Sequence, residues 1–254
     1  MKAFTAFCKK ELLESVRSFK FLILLAAFTL FGLMNAMTAK VLPDILNGSD
    51  LGGLTIQLPE PTAMDSWAQF FKNNSQLGTV VLVIVFCGMM ANELNRGTLI
   101  NILTKGMKRR TVILSKFTVA AALWTVAYAL SLAVTYAFTF YFWGGETLPH
   151  ALPAFAGPWL HGLLLLSLMI LGGACFGNFF GTLLLTGGVV LVLSLLNIVP
   201  KLQKFNPMSL AADTLYLLSG QKTPADFIPA LLICVAATAA LLMGAIVLFD
   251  RRQV

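Results

Sequence analysis

Charge is what this chain has least of. Only 11% of its 254 residues are Asp, Glu, Lys or Arg, 58% are hydrophobic, and the mean hydropathy is +0.83. A soluble domain carries roughly 25% charged residues, so a water-facing globule is excluded. Histidine occurs twice, at His150 and His161, without carboxylate or thiol partners at ligand spacing, and H-E-x-x-H is absent. Both are read as interfacial residues, and no metal site is predicted. Cys8, Cys87, Cys175 and Cys234 fall on separate segments with no C-x-x-C pair. That excludes a zinc knuckle or redox pair and leaves small apolar residues. There is no G-x-x-x-x-G-K-[ST] loop; Gly220-Gln221-Lys222-Thr223 lacks the glycine-rich turn and the adjacent Gly-Lys. G-x-S-x-G is missing as well. No catalytic residue and no cofactor site are predicted in this chain. No acid sits in the middle of an apolar run, which argues against a proton-coupled carrier or a channel lined by charges. Linkers, low-complexity tracts and repeats are absent too, so residues 1–254 read as a single membrane domain.

What the chain does have is apolar runs near the ~20 residues that cross a hydrocarbon core ~30 Å thick. Six are read, at about 19–39, 77–92, 112–142, 159–177, 181–199 and 227–249. The fourth and fifth touch across Gly177-Asn178-Phe179-Phe180-Gly181, read as a tight turn. One helix over 159–199 would measure ~60 Å, about twice the core. The first run is too long for a signal-peptide core, and no small-residue cleavage site follows it. With six spans and a cytoplasmic N-terminus, thirteen of the eighteen Lys and Arg fall inside and seven of the eleven acids outside. Both termini are therefore predicted to be cytoplasmic, in a multi-pass protein of the cell membrane. The net charge of +7 is assigned to this bias and to anionic lipid rather than to nucleic acid.

Between the second and third runs lies the strongly basic segment Glu93–Lys116. It carries Arg96, Lys105, Lys108, Arg109, Arg110 and Lys116 against the single acid Glu93. A short helix there would present Leu99, Ile102 and Leu103 on one side with cations around them. Such a surface buries apolar anchors and steers onto an acidic partner. Residues 1–18 form a second amphipathic helix, with Phe4, Phe7, Cys8, Leu12 and Val16 on one face and Glu11 at the edge of that stripe. It is predicted to lie in the inner interface.

Outside the membrane, the segment 40–76 is read as a loop, irregular around Pro43, Pro59 and Pro61. It ends in a short surface helix that starts at Thr62-x-x-Asp65 and carries Met64, Trp67, Ala68 and Phe71. A second short outer helix follows Asn206-Pro207, with Met208, Ala211, Leu215 and Leu218 on one face and a stop at Gly220. In the third run, Tyr128, Ser131, Thr135 and Thr139 make a polar stripe. Hydroxyls in a bilayer face protein or water. The stripe is therefore either helix–helix packing or a substrate-facing wall. Gly173-x-x-x-Gly177-x-x-x-Gly181 has close-packing spacing, but overlaps the turn.

These residues together resemble the transmembrane subunit of ABC-2 type ABC transporters, in the small six-helix branch. The likeness spans essentially the whole length. Lys9-Lys10-Glu11-Leu12-Leu13 with Arg17-Ser18-Phe19-Lys20 is similar to that family's elbow helix. Glu93, Gly97-Thr98-Leu99, Ile102-Leu103-Thr104, Arg109 and Lys116 stand at the positions of its first cytoplasmic loop, with Gly106 where proline is common and Lys108 where a small polar residue is common. The resemblance implies an all-α, type V exporter fold: an elbow helix over 1–18, a coupling helix over 93–111 and short extracellular gate helices. It implies that Glu93, Arg96, Gly97, Thr98, Leu99, Ile102, Leu103, Thr104, Arg109 and Arg110 dock a separate ATPase subunit that holds ATP and Mg. The chain would be a non-catalytic permease, working as a dimer with itself or with a paralogous permease. An aromatic, hydroxyl-lined, uncharged interior implies an apolar or amphipathic cargo, such as an antimicrobial peptide, a hydrophobic drug or, as in the phenol-soluble modulin exporters, a cytolytic peptide. The alternative is a membrane anchor, assembly or immunity component that tethers an ATPase without transporting.

Overall fold

The computed structural model describes residues 2–47, 60–95, 97, 104, 106–145 and 147–251. Among these residues the chain is helical and contains no strand. Six helices are long and apolar enough to cross a membrane: Lys20–Pro43, Ala63–Leu94, Arg109–Trp143, Ala151–Phe176, Phe179–Asn197 and Pro224–Arg251. The shortest has 19 residues, which at 1.5 Å per residue is ~28 Å and close to one hydrocarbon thickness. Before them comes α1 (Lys2–Arg17), separated from α2 (Lys20–Asn47) by a break at Ser18-Phe19. Phe19 has φ 59, a left-handed turn that redirects the chain from α1 into the first span.

The second span corrects the expected outer loop. The short helix expected after Thr62 is present as α3 (Ala63–Asn73), opened by Thr62, whose backbone N–H and hydroxyl donate to the Asp65 carboxylate at 2.8 and 2.9 Å. It does not lie separately on the surface. It runs through a π-helical turn, Asn74–Gly78, into α4 (Thr79–Phe86) and α5 (Gly88–Asn95), so the span begins at Ala63 rather than residue 77. The polar run Asn73-Asn74-Ser75-Gln76 looks like a loop in sequence. Three of its side chains bond inside the protein instead: Asn73 to Asn35 at 2.7 Å, Asn74 to the Phe70 carbonyl at 3.0 Å and Ser75 to the Ala211 carbonyl at 2.5 Å. A polar residue satisfied in this way is compatible with a membrane helix.

Proline positions account for two further differences. Pro43 lies inside α2, which runs on to Asn47, and Pro158 lies inside α7 (Ala151–Phe176), which starts eight residues before the expected 159. The third span, α6 (Arg109–Trp143), has 35 residues. The turn between α7 and α8 (Phe179–Asn197) is tighter than the five residues expected. Gly177 closes α7 at φ 66, and the Asn178 side chain accepts from the Gly181 N–H at 2.6 Å. The Gly173–Gly181 pattern is thus split between two helices. Gly173 packs on Met90, while Gly177 is a cap. The expected second outer helix is broken into short turns: α9 (Pro200–Gln203), α10 (Ser209–Ala212) and α11 (Leu215–Leu218). Gly220 does stop it, at φ 72. The last span, α12 (Pro224–Arg251), opens with Thr223 donating to Asp226 from N–H and hydroxyl at 3.0 and 2.9 Å.

The spans pack mainly as α2 on α6 and α7 on α12 and α8. Glycine sets the closest approaches. A Cβ on Gly32 would sit 2.8 Å from the Val134 Cβ, and one on Gly162 would enter the Trp124 ring. Between the helices Trp67, Phe70, Phe71, Tyr128 and Phe155 form an aromatic cluster, with Phe71 stacked on Phe155 at 5.6 Å. The outward faces of α8 and α12 are apolar, with Leu184, Leu191, Leu232 and Met243 exposed, as lipid contact requires.

Candidate functional site

At the end of the bundle that carries α1 lies a buried cluster of charges. Its centre is Lys116, two turns into α6 and 1% exposed. The Lys116 ammonium donates to both Glu11 carboxylate oxygens at 2.9 Å, and lies 2.7 Å from Glu93 at the end of the second span. A longer contact, 3.4 Å, reaches the Met89 carbonyl. Lys10 closes the ring from outside, pairing with Glu93, with Glu11 at 3.0 Å and with Glu14 at 2.9 Å. The Phe7 ring covers the two ammonium groups, 5.0 Å from Lys10 and 5.8 Å from Lys116. Cys8 faces the Ser115 carbonyl beside it at 4.0 Å.

Helix periodicity places these groups. Phe7 and Glu11 are one turn apart, so both face the bundle. Leu12, Leu13 and Val16 point outward and are nearly half exposed. The face expected to be apolar is therefore divided, with Phe7 buried in the bundle and Leu12 and Val16 turned outward. Burial opposes the Lys10 charge, but Glu93, Glu11 and Glu14 outweigh it and hold the ammonium above the usual lysine range. For Glu11, burial raises the carboxyl above its usual range against the pull of Lys116 and Lys10, and the Glu93 charge adds to the rise. Glu11, Glu14 and Glu93 lie close enough together to share a cation, and Lys10 and Lys116 already supply counter-charge.

Of the residues expected to dock an ATPase, Arg96, Thr98, Leu99, Ile102 and Leu103 lie outside the described residues. Glu93 is in the buried cluster, not on a surface. Gly97 takes φ 66, and Thr104 and Arg110 are exposed. Arg109 is engaged within the chain. Its guanidinium donates to the carbonyls of Phe249 and, at 3.2 Å, Asp250, and lies over the Phe249 ring, so it caps the end of α12. Glu11 and Lys10 were not expected in the site. The available signal was an acid on the apolar stripe of α1, in a chain where Lys116 also falls on the buried side of its helix.

The hydroxyl stripe on α6 sits between helices. Tyr128 donates to the Phe155 carbonyl at 2.8 Å, and Asn35 donates to Thr135 at 2.9 Å. Thr139 pairs with Ser66 at 2.6 Å, and the Ser131 backbone lies against Gly32. All four are buried. In the single chain this is the packing alternative for the stripe. His161 differs from its expected interfacial place, being buried inside α7, whereas His150 is exposed.

No protein-family model matches this chain. Its sequence is similar to YxlG, an uncharacterized transmembrane protein of Bacillus subtilis (strain 168), with 25% identity over 138 residues. The match covers 54% of this chain and 54% of YxlG, so the chain spans about half the length of that relative. The likeness agrees with six apolar helices in describing a multi-pass membrane protein.

Proposed function

We propose that this chain is the membrane-spanning subunit of an ATP-driven exporter of the ABC-2 type, without catalytic residues of its own, inserted in the cell membrane with both termini in the cytoplasm. A separate ATPase subunit docks on the basic loop between the second and third spans, and a second permease copy completes the pathway for an apolar or amphipathic cargo. The observation that carries this reading is the ion cluster. The loop leaves the second span just after Glu93 and enters the third at Arg109, seven residues before Lys116. Both stems are joined through Glu11 and Lys10 to the interfacial helix α1. A push on the loop from a soluble partner is thereby passed to two spans and α1 together. Lys108 and Arg110 remain exposed beside the loop, which favours an acidic docking surface.

A second reading, a tether that holds an ATPase at the membrane without transport, is favoured by the burial of the Tyr128, Ser131, Thr135 and Thr139 stripe. Purification of the tagged chain from its native host in mild detergent, with mass spectrometry of what accompanies it, tests both. A stoichiometric P-loop ATPase is expected; recovery of the chain alone, under conditions that preserve other membrane complexes, overturns both. Stimulation of that ATPase by amphipathic peptides selects the exporter, and its absence selects the tether.

A further inference from the structure

The end of the bundle opposite α1 carries a cavity of about 210 Å³ between the short helices α9 and α10 and the start of α12. Arg109, near the α1 cluster, caps the far end of α12, so the length of that span separates the two places. Gln203, Lys204, Ser209, Lys222, Asp226 and Phe227 face the cavity. At ~30 Å³ per water the space equals roughly seven molecules, which is room for a small polar group rather than for one bridging water.

Three of these groups are charged, and each is held apart from the others. The Lys222 ammonium lies over the Tyr216 and Phe227 rings at 5.1 and 5.5 Å, and its backbone N–H donates to the Tyr216 carbonyl at 3.0 Å. Asp226 is fixed through Oδ2, which accepts from the Thr223 N–H and hydroxyl at 3.0 and 2.9 Å, so Oδ1 is open. The fields of Lys204 and Lys222 both reach the Asp226 carboxylate, yet among the described residues neither ammonium comes within 4.0 Å of an acid. The neutral groups are positioned too. Gln203 donates to Asp213 at 2.7 Å, and the Ser209 hydroxyl donates to the Asn206 carbonyl at 2.8 Å, which leaves the Ser209 oxygen as an acceptor. Two cations and one anion around a fixed gap are complementary to a ligand that is negative at one end and positive at the other.

We propose that this cavity binds the headgroup of a phospholipid that carries both a phosphate and a primary ammonium, the phosphate at Lys204 and Lys222 and the ammonium at Asp226 Oδ1 and the Ser209 oxygen. A simple anion would satisfy the lysines but meet the Asp226 carboxylate, and a simple cation would meet two ammonium groups. A primary ammonium brings three N–H donors to the open acceptors, which a quaternary one lacks. The surroundings select a lipid over a soluble zwitterion. Phe227 is part of the lining, and Val199, Leu202 and Phe205 on the adjoining segment are about half exposed, an apolar rim on which acyl chains can lie. In the orientation proposed above the lipid belongs to the outer leaflet, and binding itself does not depend on that orientation.

The test is native mass spectrometry of the delipidated full chain in mild detergent, titrated with short-chain phosphatidylethanolamine, phosphatidylcholine and phosphatidylglycerol. Phosphatidylethanolamine should fill one saturable site about tenfold more tightly than either other lipid, the worth of one charge-assisted hydrogen bond. Lys222→Gln should weaken that binding about tenfold, and Asp226→Asn should abolish the preference over phosphatidylcholine. Lys72→Gln, at an exposed lysine outside the lining, should change nothing. If Asp226→Asn does not fold, the wild-type lipid ranking and Lys204→Gln decide. Equal affinity for the three lipids, or full binding in both Lys204→Gln and Lys222→Gln, overturns the proposal. So does displacement of the lipid by an equal concentration of glycerophosphoethanolamine or of a zwitterionic dipeptide, since the ligand is then a soluble zwitterion.

Discussion

Lys116→Met is the most direct perturbation of the charge cluster. The substitution keeps length and apolar stem but removes the cation that contacts Glu11 at 2.9 Å and Glu93 at 2.7 Å. Lys10 then stands alone against Glu11, Glu14 and Glu93. Removing one partner from a buried pair typically costs 3–5 kcal/mol. The docked state has one escape, which is to protonate a glutamate. With an ordinary pKa of about 4.3, that costs roughly 3.7 kcal/mol at pH 7, or ~500-fold in an equilibrium, and sets an upper bound. The sign follows by linkage. The docked variant binds a proton that the undocked one does not, so docking weakens as pH rises, tenfold per unit; at pH 5 the penalty shrinks to ~5-fold.

Cys8 reports on this step, since it is half-buried in α1 against the Ser115 carbonyl. In a chain with Cys87, Cys175 and Cys234 replaced by alanine, its maleimide labelling rate is divided by that of the SDS-unfolded chain at the same pH. Lys116→Met should speed labelling by up to ~500-fold at pH 7 and only ~5-fold at pH 5. Adding Glu11→Gln removes the excess acid and should restore most of the protection. Labelling within twofold of wild type at pH 7, or an acceleration equal at pH 5 and 7, would refute the argument that α1 is held by a buried ion lattice.

The triple change Glu11→Leu, Glu93→Leu, Lys116→Met should keep α1 docked and leave thermal stability unchanged or raised by about 1–4 kcal/mol, read by size exclusion after heating in detergent. Arg109→Glu should lower the melting temperature, because a carboxylate would meet the C-terminal carbonyls of α12. Exposed Arg110→Glu should leave melting unchanged and reduce ATPase recovery, so Arg110 tests docking more cleanly than Arg109. Gly162→Ala forces a Cβ into the Trp124 ring and should destabilise by about 1–3 kcal/mol. Gly187→Ala, which faces open space, should not destabilise, and the pair is compared by thermal shift.

Hydropathy alone made the number of spans legible, because length and apolarity decide which helices can cross. Local capping chemistry was legible too. Thr62 with Asp65 bonds as the spacing suggests, and the turn read at 177–181 is where α7 ends, with Asn178 accepting from Gly181. What misled was polarity inside a span. Asn73, Asn74 and Ser75 look like a loop until their partners are known, and those partners, Asn35, Phe70 and Ala211, are 38, 4 and 136 residues away in the chain. Pro43 and Pro158 misled for a related reason: a membrane helix can keep a proline when neighbours satisfy the freed backbone. In the charge cluster, Glu93 and Lys116 stood out in sequence. Glu11 was legible as an acid at the edge of the α1 apolar stripe, but its partner, 105 residues distant, was not.

The two polar systems differ in a way that membrane depth explains. Along the inner parts of α2, α3 and α6 the described side-chain links are neutral, Asn73 to Asn35 and Asn35 to Thr135. An ionised pair there would carry a large desolvation cost. The charged lattice is confined to the end where α1 lies, and there Lys10 keeps 37% of its side chain in contact with the surroundings. A lattice so placed binds little more tightly than apolar packing would, but its geometry is stricter. Glu11 has to meet Lys116 while Lys10 meets Glu93, so a small slide of α1 along α6 breaks two pairs at once. An apolar triple variant that docks as firmly but tolerates such a slide should therefore retain the ATPase and lose the coupling between ATP hydrolysis and cargo movement. Equal coupling in wild type and triple variant, measured as cargo exported per ATP, would remove the mechanical role of the charges and leave only their role in docking.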